Sequence, residues 1–292
     1  MTWRTIVINE HSKLSYQNNY LIYKSDILVE KIHISEINTL FLETTNISIT
    51  TALIYKLIEK DVRIIFCDNK YNPIGEINPY YGCHDTSKKI NQQILWDEKT
   101  KIDVWTKIIK QKIMNQKSML EILGYYKEAI KLMSYIEQLE PFDVTNREGH
   151  AAKVYFNALF GKDFTRDNNC DINAFLDYGY TLILSIFNRE IIKNGRLTQL
   201  GLKHSNYFNP YNLSSDIMEP FRVIIDEKVK SMEYETFTKG KHKLFEIFEE
   251  QYTYNNKHMY LVNIVEHYVK KVIDALDNNK LEEVMEFDIS EL

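Results

Sequence analysis

With 292 residues, 44% of them hydrophobic and 26% charged, the chain has the composition of a soluble globular protein of one large or two small domains, not of a disordered or fibrous one. A formal net charge of -5 argues against a uniformly basic nucleic-acid binder, so any DNA-facing surface is expected to be a local patch or one shared between subunits. Cys67, Cys83 and Cys170 form no CxxC pair and no zinc pattern. The N-terminus MTWRTIVINE is no secretory signal, and no apolar run approaches the roughly 20 residues of a membrane span, so a reducing cytoplasm is the expected location.

Residues 1–82 read as a β-rich domain with one helix. TIVIN at 5–9 is a short β-branched run. KLSYQNNYLIY at 13–23 carries Asn18-Asn19 at its centre, a hairpin signal. ILVEKIHI at 27–34 alternates and should be half buried, and 37–42 is a further apolar run. SITTALIYKLIEK at 48–60 has helical spacing, with Ser48 as a plausible cap. VRIIFC at 62–67 returns to strand, and Asn72-Pro73-Ile74-Gly75 marks a turn before a last short strand.

The polar stretch that follows is the expected linker, placed at residues 83–92; its His84-Asp85 pair reads as solvated. Residues 93–292 read as an all-α domain, so the fold class is α+β. Helices are expected over 94–123, 125–139, from Glu148 onward with Asn146 as cap, over 172–193 up to Asn194-Gly195, over 217–232, and within 245–276. Gly201 is expected to end a short helical turn, and the acidic end, 281–292, is expected to fray.

Two stretches carry chemistry. In REGHAAKVYF, Glu148 heads an otherwise apolar face with Ala152, Tyr155 and Leu159. A carboxylate there is an ion-pair partner, a group favoured by the helix N-terminus, or a metal ligand. In GLKHSNYFNPYNLSSDIMEPFRVIIDEK, 201–228, His204 is a metal ligand or a core residue. Asp216 and Glu219 form either a capping box or an acidic edge beside Arg222, with Pro220 restricting where the helix begins. Mixed oxygen and nitrogen donors suit Mn2+ or Mg2+ and phosphoryl transfer. Lys153, Lys162, Arg166, Arg189, Lys193, Arg196 and Lys203 concentrate between 150 and 205, as solvated charges or as a phosphate path.

Taken together these segments resemble the CRISPR adaptation integrase, the universal spacer-acquisition endonuclease. REGHAAKVYFNALFG, INAFLDYGYTLILSIFNREI, GLKH and DIMEPFR with Asp226 occur in that family's order, and REGHAAK resembles the type II-A version. The resemblance implies a metal-dependent DNA endonuclease and integrase of antiviral defence, with Glu148, His204 and Glu219 as metal ligands and catalytic residues. It implies supporting roles for Asp216 and Arg222, with Mg2+ or Mn2+ as cofactor. Glu219 stands where many relatives carry aspartate. Lys153, Lys162, Arg166, Arg189 and Arg196 are the expected DNA contacts. Partners implied are double-stranded DNA (prespacer and CRISPR repeat), a second copy joined through the β-rich domain, and a small ferredoxin-like protein completing a heterohexamer. A type II effector nuclease and a DNA-end-binding adaptation protein are further expected partners. A catalytically idle DNA-bridging scaffold and a stand-alone nuclease for branched DNA are the competing functions.

Overall fold

The computed structural model describes residues 4–69, 73–77, 79, 83–232, 235–254, 257–284 and 287. The chain forms two compact units, one of Met1–Tyr80 with Phe245–Glu250, the other of Tyr81–Leu244 with Gln251–Leu292.

The first unit contains β1 (Arg4–Ile8), β2 (Ser12–Gln17), β3 (Tyr20–Lys24), β4 (Val29–His33), β5 (Ile37–Leu42), β6 (Ile47–Ile49), α1 (Thr51–Glu59), β7 (Arg63–Cys67) and β8 (Pro73–Ile77). They form two four-stranded sheets, ordered β1-β5-β7-β8 and β4-β3-β2-β6. Asn18 and Asn19 turn the β2–β3 hairpin with φ of 49° and 68°, the left-handed values such a two-residue turn requires. Leu14, Leu21, Ile37, Leu40, Leu53, Leu57 and Ile64 are fully buried and form the core.

Two local expectations need correcting. Ser48 lies in β6, and Thr50 caps α1 by accepting from the Leu53 amide at 3.4 Å. The 27–34 run, the outer strand of its sheet, is half buried only toward its end: Ile27, Leu28 and Val29 are 95%, 48% and 58% exposed, while Ile32 and Ile34 alternate into the core. The unit also gains residues from far along the chain. Phe245 packs edge-on against Phe41 at 5.0 Å, and the Arg63 guanidinium lies 5.8 Å from the Phe248 ring.

The second unit is built on α3 (Glu98–Ile122), surrounded by α2 (Thr86–Ile94), α4 (Tyr126–Glu137), α5 (Arg147–Phe160), α6 (Asp171–Lys193), α7 (Asn212–Ile217), α8 (Arg222–Ser231), α9 (Phe237–Gly240) and α10 (Leu261–Asn278). Asp97 caps α3 by accepting from the Thr100 amide at 2.9 Å, and Gly124 ends it in the left-handed region at φ 81°. Gly179 lets α6 meet α8: a Cβ there would lie 2.5 Å from Cγ2 of Ile225.

Three larger expectations also change. The stretch 83–92 is no linker, because α2 occupies most of it. Buried Gln93 then ties α2 to the loop after α6, donating to the Leu197 carbonyl at 2.9 Å and accepting from the Leu197 amide at 2.8 Å. The helical part is not all-α: β9 (Gln251–Tyr254) and β10 (Lys257–Tyr260) pair antiparallel. Tyr252 and Tyr254 alternate inward there, a period of two that the helical reading of 245–276 overrode. The expected fraying of the acidic end does not hold at Val284 and Phe287, which are buried, with Phe287 stacked on Phe221 at 4.3 Å. Residues 285–286 and 288–292 of that tail, and Asn72 of the expected turn, lie outside the described residues. No helix among the described residues is long and apolar enough to cross a membrane.

Candidate active site

Glu148 stands in the first turn of α5, and the chain before it takes an unusual path. Phe142, Asp143 and Asn146 all have positive φ, at 62°, 49° and 53°. This path carries the buried Asp143 carboxylate under the helix start, where it accepts from the amides of Arg147 at 2.7 Å and Glu148 at 3.1 Å. Asp143 therefore does the capping expected of Asn146, which sits in the left-handed region and makes no side-chain cap bond.

Glu219 is placed by a break. α7 ends at Ile217, Glu219–Phe221 forms a single 3-10 turn with Pro220 at its start, and α8 begins at Arg222. Of the two readings of Asp216 and Glu219, the capping box is not formed. The turn is clamped from α3: Asn115, fully buried, donates to the carbonyls of Pro220 at 2.9 Å and Phe287 at 2.8 Å. Gln111 braces it, donating to Asn115 Oδ1 at 2.9 Å. Phe221 is fully buried among Phe187, Tyr268 and Phe287.

Between the two glutamates lies Lys112 of α3. Its Nζ is 2.6 Å from Glu148 Oε1 and 2.6 Å from Glu219 Oε2. Arg222 adds a second cation, its Nε donating to Glu219 Oε2 at 2.9 Å while its guanidinium lies 4.5 Å from the Tyr180 ring centre. Burial pushes the Glu219 carboxyl up, but the charges of Arg222 and Lys112 outweigh it and hold the group at about 2. Burial pushes the Lys112 ammonium down, and the charges of Glu219 and Glu148 more than reverse this, so its net shift is upward.

His204 sits on the loop after α6. Asp216, fully buried, collects that loop: it accepts from the amides of Leu202 at 2.5 Å, Lys203 at 3.0 Å and His204 at 3.2 Å, and pairs with His204 Nδ1. Gly201 is needed for close approach rather than to end a helix, since a Cβ would lie 2.4 Å from the His204 carbonyl oxygen and 2.7 Å from Asp216 Oδ2. The imidazole packs edge-on against Trp105 at 5.8 Å. Trp105 and Lys112 are seven residues apart, two turns along one face of α3, so that helix spans the site. The hydrogen bond to Asp216 raises the His204 pKa; partial burial opposes this, and the charges of Asp216, Glu219 and Glu148 add to the rise. The fields of both glutamates thus reach the imidazole.

Among the described residues, no group of three or more His, Cys, Asp and Glu side chains stands ready to hold a metal. Glu148 and Glu219 are instead bridged by the ammonium of Lys112. The donor chemistry nevertheless fits a divalent ion. Two carboxylates already share one cation, and the imidazole is oriented through Nδ1 by a carboxylate, the outer arrangement that metal-binding histidines use.

The expected DNA contacts separate. Lys153 and Lys162 are exposed. Arg166 pairs with Asp177 and donates to Asn173 at 2.6 Å, and Arg189 pairs with Glu190 at 2.7 Å. Arg196 is not available to a phosphate: it is 3% exposed, pairs with Asp277 and donates to the Lys89 carbonyl. Lys203 lies 3.7 Å from the Phe142 ring centre and donates to its carbonyl at 3.2 Å. Beside His204 opens a cavity of about 710 Å3, lined by Gln93, Trp96 and Gln199 and by the loop residues Tyr207 and Phe208, whose side chains are fully exposed. Lys112, Asn115 and Asp143 were absent from the sequence reading. For the frame a signal was available, since the amides Gln111 and Asn115 fall on the helical spacing of Ile108 and Met119.

The family model described as CRISPR associated protein Cas1 matches residues 5–257. This chain belongs to the Cas1 family. A CRISPR-associated endonuclease Cas1 from Neisseria meningitidis serogroup C (strain 8013) is 33% identical over 226 residues, covering 77% of this chain and 74% of the relative. The Cas1 1 endonuclease of Francisella tularensis subsp. novicida (strain U112) is 23% identical, covering 91% and 94%. The fold is that of a casposase bound to integration product, with TM-score 0.79 and 18% identity over 100% of this chain and 96% of that one. A Cas1 protein from Thermotoga maritima has TM-score 0.69 at 14% identity, covering 94% and 97%. The Cas1 match thus spans the segments that carry Glu148, Lys112, His204 and Glu219.

Proposed function

We propose that this Cas1 protein is a metal-dependent DNA integrase with associated endonuclease activity, of the type II-A version, joining prespacer 3′-hydroxyl ends to the repeat boundaries of a CRISPR array. The observation that carries the reading is the convergence of Glu148 and Glu219 on one cation, with His204 oriented by the buried Asp216. Two carboxylates and an imidazole Nε2 form the donor set, with Arg222 and Asp216 holding Glu219 and His204 in place. A divalent Mg2+ or Mn2+ bound by them would supply positive charge to the non-bridging phosphate oxygens and acidify the attacking hydroxyl.

The reaction is a transesterification. The 3′ oxygen forms a new bond to phosphorus as the repeat's own P–O3′ bond breaks, and the proton lost by the attacker is balanced by the one gained on the displaced 3′ oxygen. No nucleotide cofactor is consumed. With water as the attacker, the same site cuts rather than joins. The cavity beside His204 receives the unpaired strand, and exposed Tyr207 and Phe208 offer its bases flat surfaces. Lys153 and Lys162 meet the DNA backbone.

The relatives named as endonucleases and the casposase named with its integration product support this reading. Another solved relative, at TM-score 0.76, is a Cas6-RT-Cas1–Cas2 complex; the match covers 98% of this chain and 36% of that one. It supports a Cas2 partner and a Cas1 oligomer, for which we propose a dimer through the β-rich unit. The test is His204→Ala in the joining of a 3′-hydroxyl duplex to a repeat-bearing plasmid with Mn2+ or Mg2+. Joining should be abolished while the protein stays folded, and unimpaired joining would overturn the site.

A further inference from the structure

We infer that Lys112 is a tethered counter-cation that holds Glu148 and Glu219 in place and competes with a divalent ion for the space between them. The inference rests on the metal-dependent reading above and goes beyond it, by giving the chain its own built-in competitor for the metal. An ammonium 2.6 Å from one oxygen of each carboxylate fills the point on which the pair converges. A bound Mg2+ stands about 2.0–2.1 Å from each ligating oxygen. Both cations therefore claim the same volume, and only one can occupy it.

The surroundings explain why a competitor is useful. The Glu219 side chain is 4% exposed and Glu148 27%, so two carboxylates held together without a cation would repel each other out of water. Lys112 and Arg222 together neutralise the pair. Even with Asp226, whose charge both cations also feel, a divalent ion added on top of both would leave an excess of positive charge, which favours the departure of one cation.

Arg222 is poorly suited to leave, because its Nε is bonded to Glu219 and its plane lies over Tyr180. Lys112 is a point charge on a flexible four-carbon stem, able to withdraw while its backbone stays fixed in α3. Its neighbours Gln111 and Asn115 are anchored to the Glu219 turn and to Phe287, so the stem moves and the frame does not.

The test is Mn2+ binding to the full chain by titration calorimetry, comparing wild type with Lys112→Met, which keeps the apolar stem, and Lys112→Arg, which keeps the charge. Lys112→Met should bind Mn2+ on the order of tenfold more tightly than wild type, or better, because one positive charge has left the space between two carboxylates. Lys112→Arg should show no gain. The metal-free Lys112→Met protein should melt below wild type and recover on adding Mn2+. In unaltered protein, amine labelling read by mass spectrometry should find Lys112 protected without Mn2+ and labelled several-fold faster with it. Equal or weaker Mn2+ binding by Lys112→Met, with wild type still binding, overturns the inference alone. So does Lys112 labelling that ignores saturating Mn2+. Absence of Mn2+ binding in both proteins overturns the metal reading and the inference with it.

Discussion

Asp216 holds His204 by Nδ1 while accepting from the backbone amides of residues 202, 203 and 204, so one buried carboxylate shapes the loop and aims the ring. With Nδ1 committed, Nε2 is the nitrogen left for a metal. The same contact raises the imidazole pKa above its ordinary 6.5. On the proposed reading metal needs the neutral ring, so the acid limb of the proposed metal-dependent joining should lie above pH 6.5 and move down toward it in Asp216→Asn. That variant should also lose roughly 10- to 100-fold in Mn2+ affinity. The stability linkage has the opposite sense. A raised imidazole stabilises the fold fully below 6.5, and that contribution fades as pH rises through the folded value. A histidine resonance titrated by NMR checks both, and an unchanged His204 midpoint in Asp216→Asn would sink the argument.

Arg196 and Lys162 carry the same charge and should fail differently. Arg196→Ala breaks a buried pair with Asp277 and removes a bond to the Lys89 carbonyl, at a cost of about 3 kcal/mol in urea unfolding. The salt dependence of DNA binding by the folded variant should not change. Lys153→Ala and Lys162→Ala should leave stability within about 0.5 kcal/mol and each lower the salt slope by about 1. A normal slope in both lysine variants would remove them from the DNA path.

The sequence made the parts visible better than their arrangement. Asn18-Asn19, Gly124 and Gly195 punctuate elements because their φ values are written into residue type. The hairpin at 251–260 was hidden because its two short strands lie between the apolar runs 244–248 and 261–276, which suit helices, although an Asn-Asn pair at 255–256 stands between its strands in the sequence. Glu148, His204, Asp216 and Glu219 could be named one by one from local chemistry. Lys112 could not, because a lysine in a lysine-rich helix has no local mark of burial. Only the packing of α3 against two distant turns brings it between the glutamates. Asp143 was obscured for a related reason, since three left-handed residues let it reach a helix start that local spacing assigns to Asn146.

Tyr207 and Phe208 are 101% and 96% exposed, so the fold gains nothing from their rings. Replacing both with Ala should leave the melting temperature unchanged. If unpaired bases stack there, affinity for a duplex with single-stranded 3′ ends should fall by roughly 5- to 150-fold for each base released, while a blunt duplex should bind as before. Equal losses for both substrates would place the rings elsewhere on the DNA path, and no loss would exclude them from it.

Asn115 links the site to the core. Its amide donates to the carbonyls of Pro220 and Phe287; Gln111 still reaches Phe287, so Asn115→Ala takes this donor from the Pro220 carbonyl and an acceptor from Gln111, and should cost about 2 kcal/mol. Because Pro220 follows Glu219, the variant should also bind Mn2+ more weakly under conditions where it remains folded. Full destabilisation with unaltered Mn2+ affinity would separate the clamp from the site.

Asp226 supplies a pH test with the sign opposite to that of Glu219. Burial lifts its carboxyl from 3.8 to about 6, although Tyr180 donates to it and Arg222 and Lys112 pull it down. An acid raised by folding contributes its full stability below 3.8 and loses it as pH rises through 6. The rise corresponds to a penalty on the order of 3 kcal/mol at pH 8. Asp226→Asn keeps an oxygen to accept from Tyr180 and never ionises. It should therefore be more stable than wild type at pH 8, with the difference shrinking to near zero at pH 4. Glu219 behaves in reverse: held at about 2, its contribution is complete above 4.5 and is lost only in strong acid. Urea unfolding of wild type and Asp226→Asn at pH 4, 6 and 8 decides the matter, and a gain of equal size at all three would show that the buried charge is not its source.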